Sequence, residues 1–170
     1  LLPVSLSVRS GEILGVAGLM GSGRTELARA IFGADPADSG TVRIAGRTVA
    51  GDDPAASIAA GLGFITEDRK RHGLILQRPV GENITLTILD DIVRFGVFDL
   101  GAERNQAQVL VDRLRIRAAS LDQETVNLSG GNQQKVVLAR WLAARCRVLL
   151  FDEPTRGIDV AAKAEIYELI

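Results

Sequence analysis

The chain has 170 residues, which is enough for one domain with a hydrophobic core and too few for two. Apolar residues make up 46% and charged residues 24%, a balance that excludes a disordered chain. Twenty basic against twenty-one acidic residues give a net charge of −1, so we expect no nucleic-acid partner bound through a basic surface.

The first part of the chain alternates predicted strands with a predicted helix. Residues 4–8 alternate apolar and polar side chains, as a half-buried strand does, and residues 12–18 resemble a buried strand that runs into a glycine-rich turn. Helical spacing follows over residues 25–32. Residues 41–49 predict a hairpin that turns at Ala45-Gly46.

The middle of the chain is mainly helical in pattern. A short helix over 54–60 and a buried strand over 62–66 come first, and a helical stretch covers 80–127. Its clearest helix, residues 103–117, has four apolar residues on one face: Ala107, Leu110, Val111 and Leu114.

The last part repeats the strand–helix alternation. A helix follows Ser129 and ends near residue 145, a compact apolar strand covers 148–151, and a final helix begins near Val160. This order predicts an α/β fold with a parallel-sheet core. We expect one domain over residues 1–170, with a core of 1–67 and 133–170 and a helical subdomain over about 68–132. We also expect the chain to be a piece of a longer polypeptide.

A glycine-rich stretch between the second strand and the first helix has the spacing of a phosphate-binding loop, G-x-x-x-x-G-[K]-[ST], with Arg24 where Lys is usual. Backbone N–H groups of such a loop turn toward phosphate oxygens, and the helix N-terminus adds a positive dipole end. Thr25 would offer its hydroxyl to Mg²⁺. A guanidinium is wider than an ammonium, so we expect nucleotide binding with impaired hydrolysis here. The alternative is a glycine-rich connector. The predicted nucleotide-binding residues are Gly18, Leu19, Met20, Gly21, Ser22, Gly23, Arg24, Thr25 and Glu26.

A pair of acidic residues follows the last apolar strand. At the carboxyl end of a strand, Asp152 is suited to hold Mg²⁺ and Glu153 to polarise an attacking water, as the catalytic base. Taken alone, the pair could equally be a solvated acidic turn. Its combination with the phosphate loop favours a nucleotide site.

The run LSGGNQQ at 128–134 resembles the signature sequence of ABC ATPases, and it precedes Asp152 by 23 residues (152 − 129). A capped helix start with Ser129 as the cap is a compatible interpretation. The stretches GLMGSGRTEL, EDRKRHG and LSGGNQQKVVLARWL narrow the resemblance to the second ATPase cassette of tandem bacterial monosaccharide importers of the ribose, galactose and xylose type.

The resemblance implies a P-loop NTPase core with a parallel sheet, N-terminal antiparallel β strands and a helical insertion. It implies that Glu67 occupies the Q-loop position and that Asp159 lies in the D-loop that contacts the other cassette. It also implies a signature that completes the partner cassette's site, through Leu128, Ser129, Gly130, Gly131, Asn132 and Gln133.

The function implied by the resemblance is binding of ATP and Mg²⁺, with ATP hydrolysis coupled to import of a sugar through a membrane permease. The expected partners are a second cassette on the same polypeptide, the permease subunits and, indirectly, a sugar-binding protein. The expected location is cytoplasmic, peripheral on the inner face of the cell membrane. One alternative is a regulatory half that binds nucleotide without hydrolysing it at the Arg24 loop. Another is an ABC-type ATPase acting on DNA or ribosomes, which the modest size of the helical segment disfavours.

Two residues that could suggest chemistry are interpreted as core. Cys146 is the sole cysteine and Trp141 the sole tryptophan, and both lie in apolar stretches. We therefore expect neither a nucleophilic thiol nor an adenine platform at these positions. The polar run 67–72 is open to two interpretations, a solvated loop or a surface that faces the permease.

Overall fold

The computed structural model describes residues 4–19 and 21–170. Two strands pair in parallel, β3 (Leu62–Ile65) and β6 (Val148–Phe151), with Leu62 opposite Val148 and Ile65 opposite Phe151. The backbone N–H of Asp152 extends the pairing by donating to the carbonyl of Ile65 over 2.9 Å. Because the strands are parallel and in register, the residues that follow each of them emerge at the same edge.

The predicted hairpin and the first two helices are confirmed. The hairpin consists of β1 (Val42–Ile44) and β2 (Arg47–Val49), which are antiparallel. Helix α1 spans Arg24–Phe32 and α2 spans Pro54–Ala59. Asp53 caps α2 by accepting from the N–H groups of the helix's first turn, and Pro54 fits the first helical position because its missing N–H costs no hydrogen bond there.

The segment between β3 and β6 is mainly helical, as expected, with short irregular elements between its helices. The helices of this segment are α3 (Val80–Thr85), α4 (Leu89–Ile92), α5 (Leu100–Arg113) and α6 (Gly130–Ala143). Its other elements, in chain order, are a π-helical turn (Arg69–Gly73), a 3₁₀ turn (Leu86–Ile88), the two-residue strands β4 (Val93–Arg94) and β5 (Val97–Phe98), and a second 3₁₀ turn (Thr125–Asn127). The final helix, α7, spans Val160–Leu169. The apolar face predicted for α5 is buried, although the helix ends four residues earlier than predicted (117 − 113).

The strands predicted over residues 4–8 and 12–18 are wrong. Both segments lie in the described part of the chain, and neither has strand pairing. Their apolar side chains are exposed, Ile13 to 81%. Alternation along a sequence reports only which face a strand would bury, whereas a strand also needs a neighbour that pairs with its backbone. The parallel and antiparallel pairing of the predicted fold class is provided by β3–β6 and β1–β2.

An aromatic cluster lies where α1 meets β3 and α6. The ring of Phe32 is 5.5 Å from that of Phe64 and 5.8 Å, edge to face, from that of Trp141. Trp141 is buried, which confirms it as a core residue. The Cys146 thiol lies close to Gly63, and burial raises its pKa to about 11, so it is protonated at neutral pH.

Within residues 4–19 and 21–170, none of the helices combines the length and the apolar character that crossing a bilayer requires.

Candidate functional site

The glycine-rich loop leads directly into the N-terminus of α1. Gly23 caps the helix with φ 88°, a left-handed conformation that favours glycine. Before it, the N–H of Ser22 donates to the carbonyl of Leu19 over 3.1 Å and closes a tight turn. The first N–H groups of a helix have no acceptor within the helix, so this end attracts anions.

The predicted nucleotide-binding residues divide between this loop and the first turn of α1. The loop holds Gly18, Leu19, Gly21, Ser22 and Gly23, and the helix begins with Arg24, Thr25 and Glu26. Met20 lies outside the described residues.

An ion pair joins the start of α1 to the acidic end of β6. Nη2 of Arg24 lies 3.2 Å from Oε1 of Glu153, although the two residues are 129 positions apart. Both side chains are partly exposed. Glu153 has φ 43°, a left-handed conformation that is uncommon for a non-glycine residue. The predicted phosphate loop and the predicted base are therefore side by side.

Asp152 is buried beside this pair. Its Oδ2 atom is enclosed and, among residues 4–19 and 21–170, has no hydrogen-bond partner. A buried carboxylate oxygen without a partner is costly, and a divalent cation is one group that satisfies it. The described residues contain no group of three or more His, Cys, Asp or Glu side chains placed to hold a metal together. The unpartnered Oδ2 atom fits the role predicted for Asp152, that of a Mg²⁺ ligand.

The segment that follows β3 is bonded to the segment that follows Glu153. Glu67, at the predicted Q-loop position, forms an ion pair with Arg156. Nη1 of Arg69 donates to the carbonyl of Arg156 over 2.9 Å, and its Nη2 donates to the carbonyl of Gly157 over 3.3 Å. Sequence reasoning missed Arg69, because nothing in the polar run 67–72 distinguishes its buried side chain from those of its exposed neighbours.

Ser129 caps α6, the helix that begins with the predicted signature. Its Oγ accepts from the backbone N–H of Asn132 over 3.4 Å and from Nδ2 of the same residue over 2.9 Å. The Asn132 side chain is held in turn by the N–H of Arg117, which donates to Oδ1 over 2.8 Å. With its lone pairs occupied by donors, the exposed Ser129 hydroxyl keeps its own proton for an acceptor outside the helix.

Other signature residues point elsewhere. Leu128 and Gln133 are buried, and Nε2 of Gln133 donates to the carbonyl of Thr125 over 3.2 Å, so neither lies on the exposed face with Ser129. Gly131 allows α6 and α7 to touch, since a Cβ there would lie 2.5 Å from that of Ala162. Gly130 lies beside Arg69, whose Nη2 would be 2.8 Å from a Cβ at that position.

The predicted D-loop residue has a structural partner. Asp159 caps α7, and its Oδ1 accepts from the N–H of Ala162 over 2.9 Å. The next turn of α7 is anchored to α6, where Nζ of the buried Lys135 lies 2.7 Å from Oε2 of Glu165. This contact holds the pKa of Glu165 below its usual value.

The fold is that of an ATP-binding cassette. The chain superposes with a TM-score of 0.78 on the dimeric structure of MJ0796, described as a bacterial ABC transporter cassette, at 25% identity over 96% of this chain and 70% of that one. A second structure of that cassette, bound to ADP and Pi, matches with the same score at 24% identity, over 96% and 70% of the two chains.

The family model described as ABC transporter matches residues 1–156, so the chain belongs to the ABC transporter family. The ribose import ATP-binding protein RbsA of Lactococcus lactis subsp. cremoris is 52% identical over 98% of this chain and 34% of its own length. RbsA 3 of Rubrobacter xylanophilus is 56% identical over 98% and 33%. A putative ribose/galactose/methyl galactoside import ATP-binding protein of Burkholderia lata is 53% identical over 98% and 33%. The chain therefore spans about a third of the length of these relatives.

Proposed function

We propose that the whole protein binds and hydrolyses MgATP and couples this to import of a sugar through a membrane permease, and that this chain is one of its ATP-binding cassettes. The observation that carries the proposal is the contact between Arg24 and Glu153, because it brings the phosphate loop and the acidic end of β6 together at one site. The names of the relatives, which are ribose and galactoside import ATP-binding proteins, support the transport role.

At the chain's own site, the loop amides and the α1 N-terminus would bind the nucleotide phosphates. Asp152 and Thr25 would hold Mg²⁺, which when bound offsets the charge of the phosphate oxygens. Glu153 would accept a proton from the attacking water, but only after Arg24 leaves it, since the guanidinium lies against the carboxylate oxygen that the water would have to reach. Arg24 thus has to exchange its carboxylate partner for a phosphate before the base is free.

The signature would act on the nucleotide held by a second cassette. The exposed Ser129 hydroxyl and the neighbouring N–H groups of α6 are suited to donate to a γ-phosphate. The hydrogen bonds from Asn132 to the Ser129 Oγ hold the hydroxyl in place before the nucleotide arrives. The buried side chains of Leu128 and Gln133 would pack beneath this surface and support it. Asp159 would present the D-loop to the other cassette. The relatives are about three times as long as the chain, which supports a second cassette on the same polypeptide.

The remaining partners follow from the same proposal. The stretch 67–72, in which Lys70, Arg71 and His72 are exposed, would face the permease. Through its ion pair with Arg156, Glu67 would couple that contact to the position of the D-loop. A sugar-binding protein would act on the permease and reach this chain only indirectly. The cassette would lie on the cytoplasmic face of the membrane as a peripheral subunit, with residues of about 68–132 as a separate helical subdomain.

A second candidate function is a regulatory half whose own loop binds nucleotide without turnover. The specific observation in its favour is again the Arg24–Glu153 pair, which occupies the base and the phosphate-binding cation together. The two functions differ in whether ATP is hydrolysed when the partner cassette's site is inactivated in the full polypeptide. Remaining activity that Glu153→Gln removes would assign hydrolysis to the Arg24 loop, and no remaining activity would favour the regulatory half.

The main test is the steady-state ATPase of the full polypeptide with Ser129→Arg beside Arg24→Ala. Ser129→Arg should abolish turnover, because it removes the capping hydroxyl and places a bulky cation at the signature. Arg24→Ala should cause a much smaller loss if the partner's site carries most turnover. Equal losses would show that the Arg24 loop takes a full part in hydrolysis, and undiminished activity in Ser129→Arg would contradict the signature role.

A further inference from the structure

Arg69 is the one arginine in the polar run 67–72 whose side chain is buried, with 7% of its surface exposed. Its two bonded partners are backbone carbonyls, those of Arg156 and Gly157. Of the two carboxylates that directly precede it in the chain, Glu67 is engaged with Arg156, and Asp68 accepts from backbone N–H groups of the turn that follows it. Nε of Arg69 is enclosed and has no hydrogen-bond partner in the part of the chain that the structure describes.

A buried guanidinium held by two carbonyls, with an unsatisfied N–H, is an expensive way to stabilise a fold. An apolar side chain of similar volume would fill the same space at lower cost. What the guanidinium adds is direction, since its forked donors hold two successive carbonyls at once. The residue is therefore better explained by the placement of the backbone at 156–157 than by stability.

The third neighbour of Arg69 is the start of the signature helix. Its Nη2 atom would lie 2.8 Å from a Cβ at Gly130, and the carbonyl of Gly157 would lie 3.3 Å from the same Cβ. The guanidinium thus lies where the Q-loop segment, the D-loop backbone and the N-terminus of α6 meet.

We propose that Arg69 is a positioning residue that holds the D-loop backbone at 156–157 against the N-terminus of α6, so that Ser129 and the D-loop reach the other cassette's nucleotide as one rigid surface. This inference rests on the proposed function, because it assumes that the signature acts on the partner's ATP. Through its place beside Glu67, Arg69 also links that surface to the segment that would face the permease.

The experiment uses the full polypeptide and compares Arg69→Gln, Arg69→Lys and Arg113→Gln over a range of MgATP concentrations. Arg113 is the matched control, since it is an exposed arginine at the end of α5, outside both the stretch 67–72 and the signature. We expect Arg69→Gln to lower kcat by about tenfold to a hundredfold, because a displacement of about 1 Å in a catalytic constellation has that effect. KM for ATP should change by less than about twofold, because the residue does not touch the nucleotide bound at the partner's loop.

Arg69→Lys separates positioning from folding. It keeps the buried charge and the alkyl stem but has one nitrogen in place of the fork, so kcat should be intermediate between those of wild type and Arg69→Gln. In a Ser129→Ala background, the further loss caused by Arg69→Gln should shrink to less than about threefold, because the two residues act through one surface. Arg113→Gln should match wild type.

Wild-type kcat in Arg69→Gln or in Arg69→Lys would overturn the inference. So would parallel changes in kcat and KM, or a lowered thermal midpoint with no partial rescue by Lys, since these are the marks of a merely structural residue. Failure of the proposed function is distinct, because it would appear as undiminished turnover in Ser129→Arg whatever the Arg69 variants do.

Discussion

The phosphate loop and the signature helix are the two helix starts that we propose as anion sites, and different kinds of contact hold them. The loop is joined to β6 by the partly exposed pair Arg24–Glu153. The signature helix α6 is tied to the helices around it by buried polar side chains, among them Arg140 and Lys135.

The difference concerns preorganisation. A signature that acts on another cassette's nucleotide has to be in position before the two meet, because donors fixed in advance need no reorganisation when charge develops. A loop that binds its own nucleotide can exchange an ion-pair partner for phosphate. We therefore expect one rigid anion-facing surface and one exchangeable one, and variants on the two sides can break or sharpen that contrast.

The largest effect on stability is expected from Arg140→Met in α6, the signature helix. Nε of Arg140 donates to the carbonyl of Asn83 over 2.7 Å, and its Nη1 and Nη2 donate to the carbonyl of Gly73 and to Oδ1 of Asn83 over 2.7 and 2.9 Å. Burial lowers its pKa to about 10, so it remains charged at neutral pH. Its loss leaves buried acceptors unpaired and should lower the free energy of unfolding by about 3 kcal/mol.

Urea unfolding followed by the fluorescence of Trp141, the sole tryptophan, measures that loss. The matched control is Arg113→Met, an exposed arginine at the end of α5. A loss below about 1 kcal/mol in Arg140→Met would contradict the view that buried polar contacts hold α6.

The next effect concerns the contact between α6 and α7. Gly131→Ala should destabilise by about 1–2 kcal/mol, because overpacking against Ala162 outweighs the higher helix propensity of alanine. In the double variant with Ala162→Gly, the overpacking should be relieved, so the two changes should not be additive. Additive losses in urea unfolding would mean that the helices separate without strain and that the close approach is not required.

A smaller, pH-dependent effect is expected from Glu165→Gln in α7. The Lys135 ammonium holds the pKa of Glu165 below its unfolded value of 4.5. The folded state then binds fewer protons, so this stabilisation is present above about pH 4.5 and is lost as the pH falls through the folded pKa. Glu165→Gln should flatten the acid dependence of the urea midpoint, whereas Glu168→Gln, an exposed change on the same helix, should leave it unchanged. An unaltered acid dependence in Glu165→Gln would contradict the pairing.

Much of this architecture was predictable where local pattern and local chemistry agree. The helix after Ser129, the hairpin at Ala45-Gly46 and the strand 148–151 each carry their own periodicity and end signals. The helix face of Ala107 and Leu110 was predicted for the same reason, as was the parallel sheet, which follows from the alternation of elements.

What sequence reasoning missed depends on tertiary partners. Residues 12–18 have the composition of a buried strand, but strand formation needs a pairing neighbour that no local pattern specifies. Arg69 differs from Arg71 only in what α6 and the D-loop place around it. Gln133 lies in the signature run, yet helical rotation turns it inward. Roles for such residues are set by packing, which a single sequence does not show.

The smallest effect on stability is expected from Arg24→Gln at the phosphate loop. This change removes an arginine, as Arg140→Met does, but from an ion pair that is partly exposed. Solvent screens that pair, so the free energy of unfolding should fall by less than about 1 kcal/mol. Glu153→Gln removes the same contact and should give a similar value, with little further change in the double variant. A loss above about 2 kcal/mol in urea unfolding would mean that the Arg24–Glu153 pair stabilises the fold nearly as much as the buried contacts of α6 do. The contrast between a rigid and an exchangeable anion-facing surface would then be wrong.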